Sequence, residues 1–71
     1  MKETLGERMR RIRESKGIGV YELMDITGVS SATIYHAEGD IRVPNIITIC
    51  RLCEGLGCSP NELVPEWMYG R

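Results

Sequence analysis

The sequence predicts an all-α fold, and the spacing of its apolar residues carries that prediction. Leu5, Met9 and Ile12 recur at i, i+4 and i+7, which is the spacing of one helix face. Two short amphipathic runs follow at 20–27 and 31–38, and no segment alternates as a strand would. A chain of 71 residues is expected to form one domain.

The first helix is predicted from its two ends. Thr4 and Glu7 have the spacing of a capping box, in which each side chain hydrogen-bonds the other residue's backbone. Lys16 places a cation in the last turn, and Gly17 follows as a stop signal. The helix is therefore expected to lie between these two pairs of residues.

The joint between the two amphipathic runs predicts a helix-turn-helix. Gly28 suits the left-handed conformation that ends a helix, Val29 is expected to plug the turn, and Ser30 is a good N-cap. The residues predicted to face inward are Leu23 and Ile26 in the first run and Ile34 and Ala37 in the second. Such a hairpin either belongs to an ordinary helical bundle or places its second helix in a DNA major groove.

Two further helices are predicted after the hairpin. Pro44 favours a helix start, and the fourth helix is expected over residues 45–56. Its predicted apolar face comprises Ile46, Ile49, Leu52, Cys53 and Leu56. Ser59, Pro60 and Glu62 form the start signal of a fifth helix. The folded domain is therefore predicted to span residues 1–64.

An apolar tail is predicted over residues 65–71, where Pro65 breaks the helical pattern. Its large side chains are Trp67, Met68 and Tyr69. If they were exposed to solvent, these side chains would form an apolar surface patch. The tail is therefore expected either to fold back on its own domain or to pack against a second copy. We predict that the protein forms a homodimer through the fifth helix and this tail, with Trp67 and Tyr69 buried.

The composition argues against several classes of function. The number of cysteines is odd, which fits buried free thiols in a reducing compartment; they are Cys50, Cys53 and Cys58. Three cysteines are too few ligands for a zinc site. No cofactor or small-molecule ligand is evident, and one His without paired carboxylates or a nucleophile motif argues against an enzyme. No membrane span or signal peptide is present, so a cytoplasmic protein is expected.

The charge is distributed unevenly along the chain. Residues 1–16 hold six basic and three acidic groups, whereas the remaining residues hold three basic and seven acidic groups. The net charge of −1 therefore combines one positive end with an acidic body. Such a distribution suits a polyanion bound at one face, although a solvated helix surface has the same composition.

Taken in order, these segments resemble the Cro/lambda-repressor type of helix-turn-helix regulator, also called the xenobiotic-response-element family. The residues that carry the likeness are 5–13, 16–18, 22–23, 28–30, 33–34, Glu38, Arg42, Pro44 and 56–59. The resemblance implies a five-helix domain that binds DNA as a dimer through its third helix. It also implies a buried ion pair between Arg13 and Glu38, which would fix the angle between the first and third helices.

Four positions depart from the family pattern. Gly19 stands where a Ser or Thr cap is common, and Val20 replaces a polar residue that would contact a DNA phosphate. Met24 replaces a common Ala, so the hairpin must pack around a longer side chain. Asp40 takes the place of a turn glycine, and its charge is expected to face the DNA side.

The predicted DNA-binding residues lie on the third helix, its cap and the loop that follows. They are Ser30, Ser31, Ala32, Thr33, Tyr35, His36 and Arg42, with Arg10 and Lys16 on the first helix as weaker candidates. The third helix carries no Lys, Arg, Asn or Gln, the usual bidentate readers of guanine and adenine. Hydroxyls, methyl groups and an imidazole remain to read the bases.

The leading hypothesis is a dimeric transcriptional regulator that recognises a palindromic operator in double-stranded DNA. This class includes sequence-specific regulators of the phage, mobile-element or plasmid type, restriction-modification controllers and antitoxins. The alternative is a protein-interaction module that keeps the fold and has lost DNA affinity. The acidic total, Val20 and a reading helix without Lys or Arg favour that alternative.

Overall fold

The helices begin and end where capping side chains and glycines allow. The computed structural model describes residues 2–69, without the side chain of Tyr69. This part of the chain contains α1 (Leu5–Ser15), α2 (Val20–Thr27), α3 (Ser31–Glu38), α4 (Ile46–Leu56), α5 (Pro60–Leu63) and α6 (Glu66–Tyr69). The all-α fold with a helix-turn-helix at α2 and α3 is confirmed. None of these helices has the length and hydropathy that a bilayer crossing requires.

Local capping explains most of the helix boundaries. Thr4 and Ser59 both form the predicted capping boxes, at the starts of α1 and α5. Asn45 caps α4, where its Oδ1 accepts a hydrogen bond from the Thr48 amide at 2.9 Å. Gly28 ends α2 with a φ of 76°, the left-handed conformation that a side chain disfavours.

The core lies between the hairpin of α2 and α3 and the helices α1, α4 and α5. Its buried apolar residues are Leu5, Met9, Leu23, Val29, Ile34, Ala37, Ile49, Leu52, Cys53, Leu56 and Leu63. The burial of Val29 confirms that the turn residue acts as an apolar plug. The core is aliphatic, as a chain without Phe requires.

Two residues predicted to face the core lie at the surface instead. Ile26 is 54% exposed, because it lies at the margin of the contact between α2 and α4, where one of its methyl groups approaches Gly55 and Leu23 takes the buried position. Ile46 is 66% exposed, and the apolar contact of α4 with the core begins one turn later, at the buried Ile49. Cys50 corrects the expectation of three buried thiols, since it lies exposed on the outer face of α4 while Cys53 is buried.

A sixth helix, α6, replaces the irregular tail expected after Pro65. Pro65 is buried, and its carbonyl accepts a hydrogen bond from the Met68 amide at 3.0 Å. Pro lacks a backbone donor, but at the entrance to a helix no donor is required. Met68 packs against the core, so the helix is held by tertiary contact and not by its own length.

Two glycines allow helices to approach closely. A Cβ on Gly6 would lie 2.5 Å from the carbonyl oxygens of Ala37 and Glu38, so α1 touches the end of α3 directly. A Cβ on Gly55 would overlap the Thr27 side chain, so α4 makes the same kind of contact with α2. Close packing therefore explains the glycine inside α4.

Candidate nucleic-acid interface

The orientation of α3 is fixed by a buried ion pair with α1. Arg13 Nε donates to Glu38 Oε2 at 2.6 Å, and Arg13 Nη2 donates to Glu38 Oε1 at 3.0 Å. The two side chains are 10% and 9% exposed. A third Arg13 nitrogen donates to the Ile18 carbonyl at 2.8 Å, and the hydrogen bond with Glu38 raises the pKa of the guanidinium. The pair implied by the family resemblance is confirmed.

Alternate sides of α3 face the core and the solvent. Ile34 and Ala37 are buried, as predicted. Ala32, Tyr35 and His36 are exposed, while Ser31 and Thr33 are half-buried. The outward side therefore carries the small and hydrogen-bonding groups that the sequence placed there.

The N-terminus of α3 is held by Ser30. Its Oγ accepts from the Thr33 amide at 3.2 Å and shares a 2.8 Å hydrogen bond with the Thr33 hydroxyl. The cap thus satisfies one of the free amides of the first turn. The remaining amides and the positive end of the helix dipole make this terminus suited to a phosphate.

The loop after α3 brings Arg42 to the same surface. The His36 carbonyl accepts hydrogen bonds from the Ile41 and Arg42 amides at 2.9 and 3.4 Å. Thr33, His36, Arg42 and Pro44 then line one open cleft. Within residues 2–69 the Arg42 side chain forms no ion pair, so its charge is available to a ligand.

The weaker candidates on α1 lie apart from this cleft. Arg10 lines a separate depression with Tyr35 and Gly39 at the C-terminal end of α3, and it pairs with Glu14 at 3.3 Å. The ammonium of Lys16 lies near Gly57, just beyond the C-terminus of α4. A DNA contact by either residue stays a prediction.

Asp40 corrects one expectation about this surface. Its φ of 56° confirms the left-handed turn conformation. Its carboxylate, however, is turned to the start of α1, where it accepts from the Thr4 hydroxyl at 2.6 Å and the Gly6 amide at 3.0 Å. The charge expected to oppose DNA therefore stabilises the N-terminus of a helix.

Most of the basic side chains at the start of the chain form ion pairs with acidic residues of the same chain. Glu3 pairs with Arg8 at 3.2 Å and with Arg11 at 2.8 Å, and the Arg11 hydrogen bond lowers the pKa of Glu3. Arg10 and Arg13 pair with Glu14 and Glu38. The pairing of Glu3 with Arg8 and Arg11 was not predicted from the sequence, although Glu3 lies in the positive segment itself. The basic end is thus less available to a polyanion than its composition indicated.

The tail folds back on its own chain. Trp67 Nε1 donates to the Glu3 carbonyl at 2.9 Å, and the Lys2 ammonium lies 5.9 Å from the centre of the indole ring. The Trp67 side chain remains partly exposed. Contact of Trp67 and Met68 with a second copy stays a prediction, and the side chain of Tyr69 lies outside the described residues.

No group of three His, Cys, Asp or Glu side chains that could hold a metal ion occurs within residues 2–69.

The candidate surface consists of a helix N-terminus, a small cleft and one unpaired arginine. That arrangement favours recognition of a phosphate backbone and of adjacent base edges.

Comparison with known proteins gives this surface a family context. Residues 4–67 match the family model of a helix-turn-helix domain. An uncharacterised HTH-type transcriptional regulator of Sinorhizobium fredii is 33% identical over 64 residues, which cover 90% of this chain and 83% of the relative.

Solved structures share the fold. The P22 c2 repressor in complex with a synthetic operator is 32% identical, with a TM-score of 0.83 over 89% of this chain and 96% of that one. The restriction-modification controller C.AhdI of Aeromonas hydrophila is 27% identical, with a TM-score of 0.80 over 83% of this chain and 89% of that one. The chain belongs to the helix-turn-helix domain family and is a regulator of the Cro/lambda-repressor-like type.

Proposed function

We propose that this regulator binds a palindromic operator in double-stranded DNA as a dimer, with α3 in the major groove of each half-site. The observation that carries the proposal is the cleft in which Thr33 and His36 of α3 meet Arg42 of the following loop. Because Arg13 and Glu38 fix α3 against α1, this surface is preorganised. The two reading helices would lie about 34 Å apart.

Each residue of the surface has a proposed role set by its chemistry. The capped N-terminus of α3 and the hydroxyl of Ser31 suit a phosphate. Ala32 and the methyl of Thr33 suit thymine methyl groups, while His36 suits guanine N7 or a phosphate. Tyr35 is exposed and offers a hydroxyl to either. Arg42 is the proposed phosphate clamp.

Two regulatory roles fit this DNA-binding function. The likeness to the P22 c2 repressor supports an operator-binding repressor, and the likeness to C.AhdI supports a restriction-modification controller. Both roles use the same surface, so the residues proposed here do not depend on the choice between them. An antitoxin belongs to the same class.

A protein-interaction module of the same fold is the second candidate. The observation that favours it is the pairing of Arg8, Arg10, Arg11 and Arg13 with acidic residues of the same chain. A reading helix without Lys or Arg adds to that electrostatic deficit. Affinity for phosphates would then rest on few cations.

Selection of bound fragments from random duplex DNA, at low and at physiological salt, tests the proposal. A sequence-specific regulator yields one enriched, two-fold symmetric motif at both salt concentrations. The protein-interaction module yields no enriched motif and no retention at physiological salt. Loss of enrichment in the double variant Thr33→Val with His36→Ala would assign the reading to α3, and Tyr21→Ala on the exposed side of α2 is the matched control.

A further inference from the structure

The loop between α3 and α4 is attached to the start of α1 by the side chain of Asp40. Asp40 Oδ2 accepts a hydrogen bond from the Thr4 hydroxyl at 2.6 Å, and Asp40 Oδ1 accepts one from the Gly6 amide at 3.0 Å. These partners lie 36 and 34 positions away in the chain. We refer to the two hydrogen bonds as the Asp40 latch.

The start of α1 offers the donors that this carboxylate requires. The Gly6 amide belongs to the first turn of the helix, where backbone amides have no partner within the helix. Thr4 Oγ1 already accepts from the Glu7 amide at 3.1 Å, so its own proton is free to be donated to Asp40. The helix dipole also favours a negative charge at this end. The latch is therefore a charge-assisted attachment at two points.

Backbone hydrogen bonds alone hold the loop less firmly near Arg42. The His36 carbonyl accepts from the Ile41 amide at 2.9 Å and from the Arg42 amide at 3.4 Å. The second distance lies beyond the usual range of an N–H···O hydrogen bond. A further attachment of the loop therefore matters most for Arg42.

The position of the Arg42 guanidinium depends on the backbone that carries it. Within residues 2–69 this side chain forms no ion pair, and it lines the cleft with Thr33 and His36. Arg42 follows Asp40 by two residues, a span of at most about 7 Å. A fixed Asp40 therefore keeps Arg42 at the edge of the cleft.

We propose that Asp40 is a positioning residue for DNA binding, whose hydrogen bonds to α1 hold the loop so that Arg42 meets a phosphate beside α3. The inference rests on the proposed function of the α3 surface. Asp40 acts through Arg42 and is not itself a DNA contact, because a carboxylate repels phosphate. The residue thus combines a left-handed turn conformation with an attachment that a glycine would not provide.

Two effects of this carboxylate on DNA affinity have opposite signs. Its negative charge opposes phosphates within about 10 Å at 0.1 M salt, so loss of the charge alone would strengthen binding. Its hydrogen bonds preorganise Arg42, so loss of the hydrogen bonds would weaken binding. The sign of the change in affinity therefore distinguishes a positioning residue from a bystander charge.

The closing experiment measures the affinity of two Asp40 variants for a duplex that carries the selected motif. Asp40→Gly keeps the left-handed turn and removes the carboxylate, so affinity should fall about threefold to tenfold. The slope of log affinity against log salt should fall in magnitude by up to about one. Asp40→Asn can accept from the Gly6 amide and donate to the Thr4 hydroxyl oxygen, so it should recover the affinity of the parent.

Glu7→Ala is the matched control. It removes the other carboxylate that caps α1, which accepts from the Thr4 amide at 2.9 Å, and it leaves the loop untouched. This variant should lower the melting temperature and leave DNA affinity and the salt slope unchanged. Circular dichroism checks that every variant is folded.

A double-mutant cycle shows whether Asp40 acts through Arg42. In an Arg42→Ala background, Asp40→Gly should cause no further loss of affinity, whereas two independent contributions would add. Amide hydrogen exchange tests the latch in the free protein. Asp40→Gly should accelerate exchange at Gly6 and Arg42, and Glu7→Ala should leave Arg42 as it is in the parent.

The outcomes separate the latch from the proposed function. Parent-like or tighter binding by Asp40→Gly overturns the inference, as does an additive loss in the double variant. Unchanged exchange at Arg42, or a loss of affinity in Asp40→Asn as large as in Asp40→Gly, contradicts hydrogen bonding as the cause. A parent that binds no duplex overturns the proposed function, and the role of Asp40 in DNA binding fails with it.

Discussion

Arg13 and Glu38 form the most buried ion pair within residues 2–69. Three hydrogen bonds surround the guanidinium, and no polar side-chain atom buried in this part of the chain lacks a partner. A charge kept in such a place is tolerated because its partner is present. The pair therefore acts as a geometric constraint between α1 and α3.

Arg13→Ala is expected to destabilise the domain by about 3–5 kcal/mol, since Glu38 would remain buried without a counter-charge. Urea unfolding followed by circular dichroism measures the loss. The matched control is Arg10→Ala, because the Arg10–Glu14 pair is 64% and 58% exposed. Its cost should stay within about 0.5 kcal/mol. Equal costs for the two variants would show that the buried pair contributes no more than a surface pair.

Arg42→Ala is expected to weaken binding to all duplexes alike, because a phosphate contact carries no sequence information. The slope of log affinity against log salt should fall in magnitude by about one. Arg51→Ala is the matched control, since Arg51 is an exposed arginine of α4 that does not line the cleft. A loss confined to one operator sequence would give Arg42 a base-reading role instead.

Cys53 couples stability to pH. Burial raises the pKa of this thiol to about 12, whereas a free cysteine has a pKa of about 8.5. The unfolded state therefore releases the proton first, so stability is intact below about pH 8.5 and falls as the pH rises towards 12. Between about pH 8 and pH 10, Cys53→Ala should lose less stability than the parent, and Cys50→Ser should lose as much. Equal losses in all three would exclude Cys53 as the cause.

At the scale of elements, local signals were readable from the sequence. Thr4, Ser30 and Ser59 cap the helices predicted for them, and the left-handed Gly28 ends α2. These features depend on residues within four positions of each other. Which residues face the core depends on how the helices cross, and this could not be predicted from the sequence. Ile26 and Ile46 fit the helical period of their apolar faces, but both side chains are exposed.

The candidate site divides in the same way. The outward side of α3 follows from its period, so Tyr35 and His36 could be placed from the sequence. Two contacts could not be predicted in this way: the hydrogen bonding of Asp40 to the start of α1, and the ion pairs of Glu3 with Arg8 and Arg11. These contacts depend on the fold or on side-chain orientation. α6 was missed because Pro65 was interpreted as a break, whereas buried Pro65 and Met68 dock the helix.

The contact between α1 and α3 has no room for a side chain at Gly6. Gly6→Ala is expected to cost about 1–3 kcal/mol, because its Cβ would meet two backbone carbonyls that cannot rotate away. The matched control is Gly19→Ser, where open space surrounds the N-cap of α2. That variant should be neutral or more stable by a few tenths of a kcal/mol. Thermal unfolding of the two variants compares them, and equal melting temperatures would contradict the close contact.

At the scale of the whole molecule, the fold determines which charged side chains are paired within the chain and which remain available to a ligand. Four arginines of α1 are engaged within the chain, which leaves Arg42 beside the cleft without an ion pair in the described residues. The proposed DNA contact therefore relies on a small number of charges and a preorganised helix.

The most direct test of the central claim maps the amide chemical shifts of the protein as the selected duplex is added. If α3 enters the major groove, the largest changes should fall on residues 30–36 and on Arg42. A scrambled duplex at the same salt concentration should give smaller changes at the same positions. Large changes confined to α5 and α6, or none on α3, would contradict the proposal that α3 reads DNA.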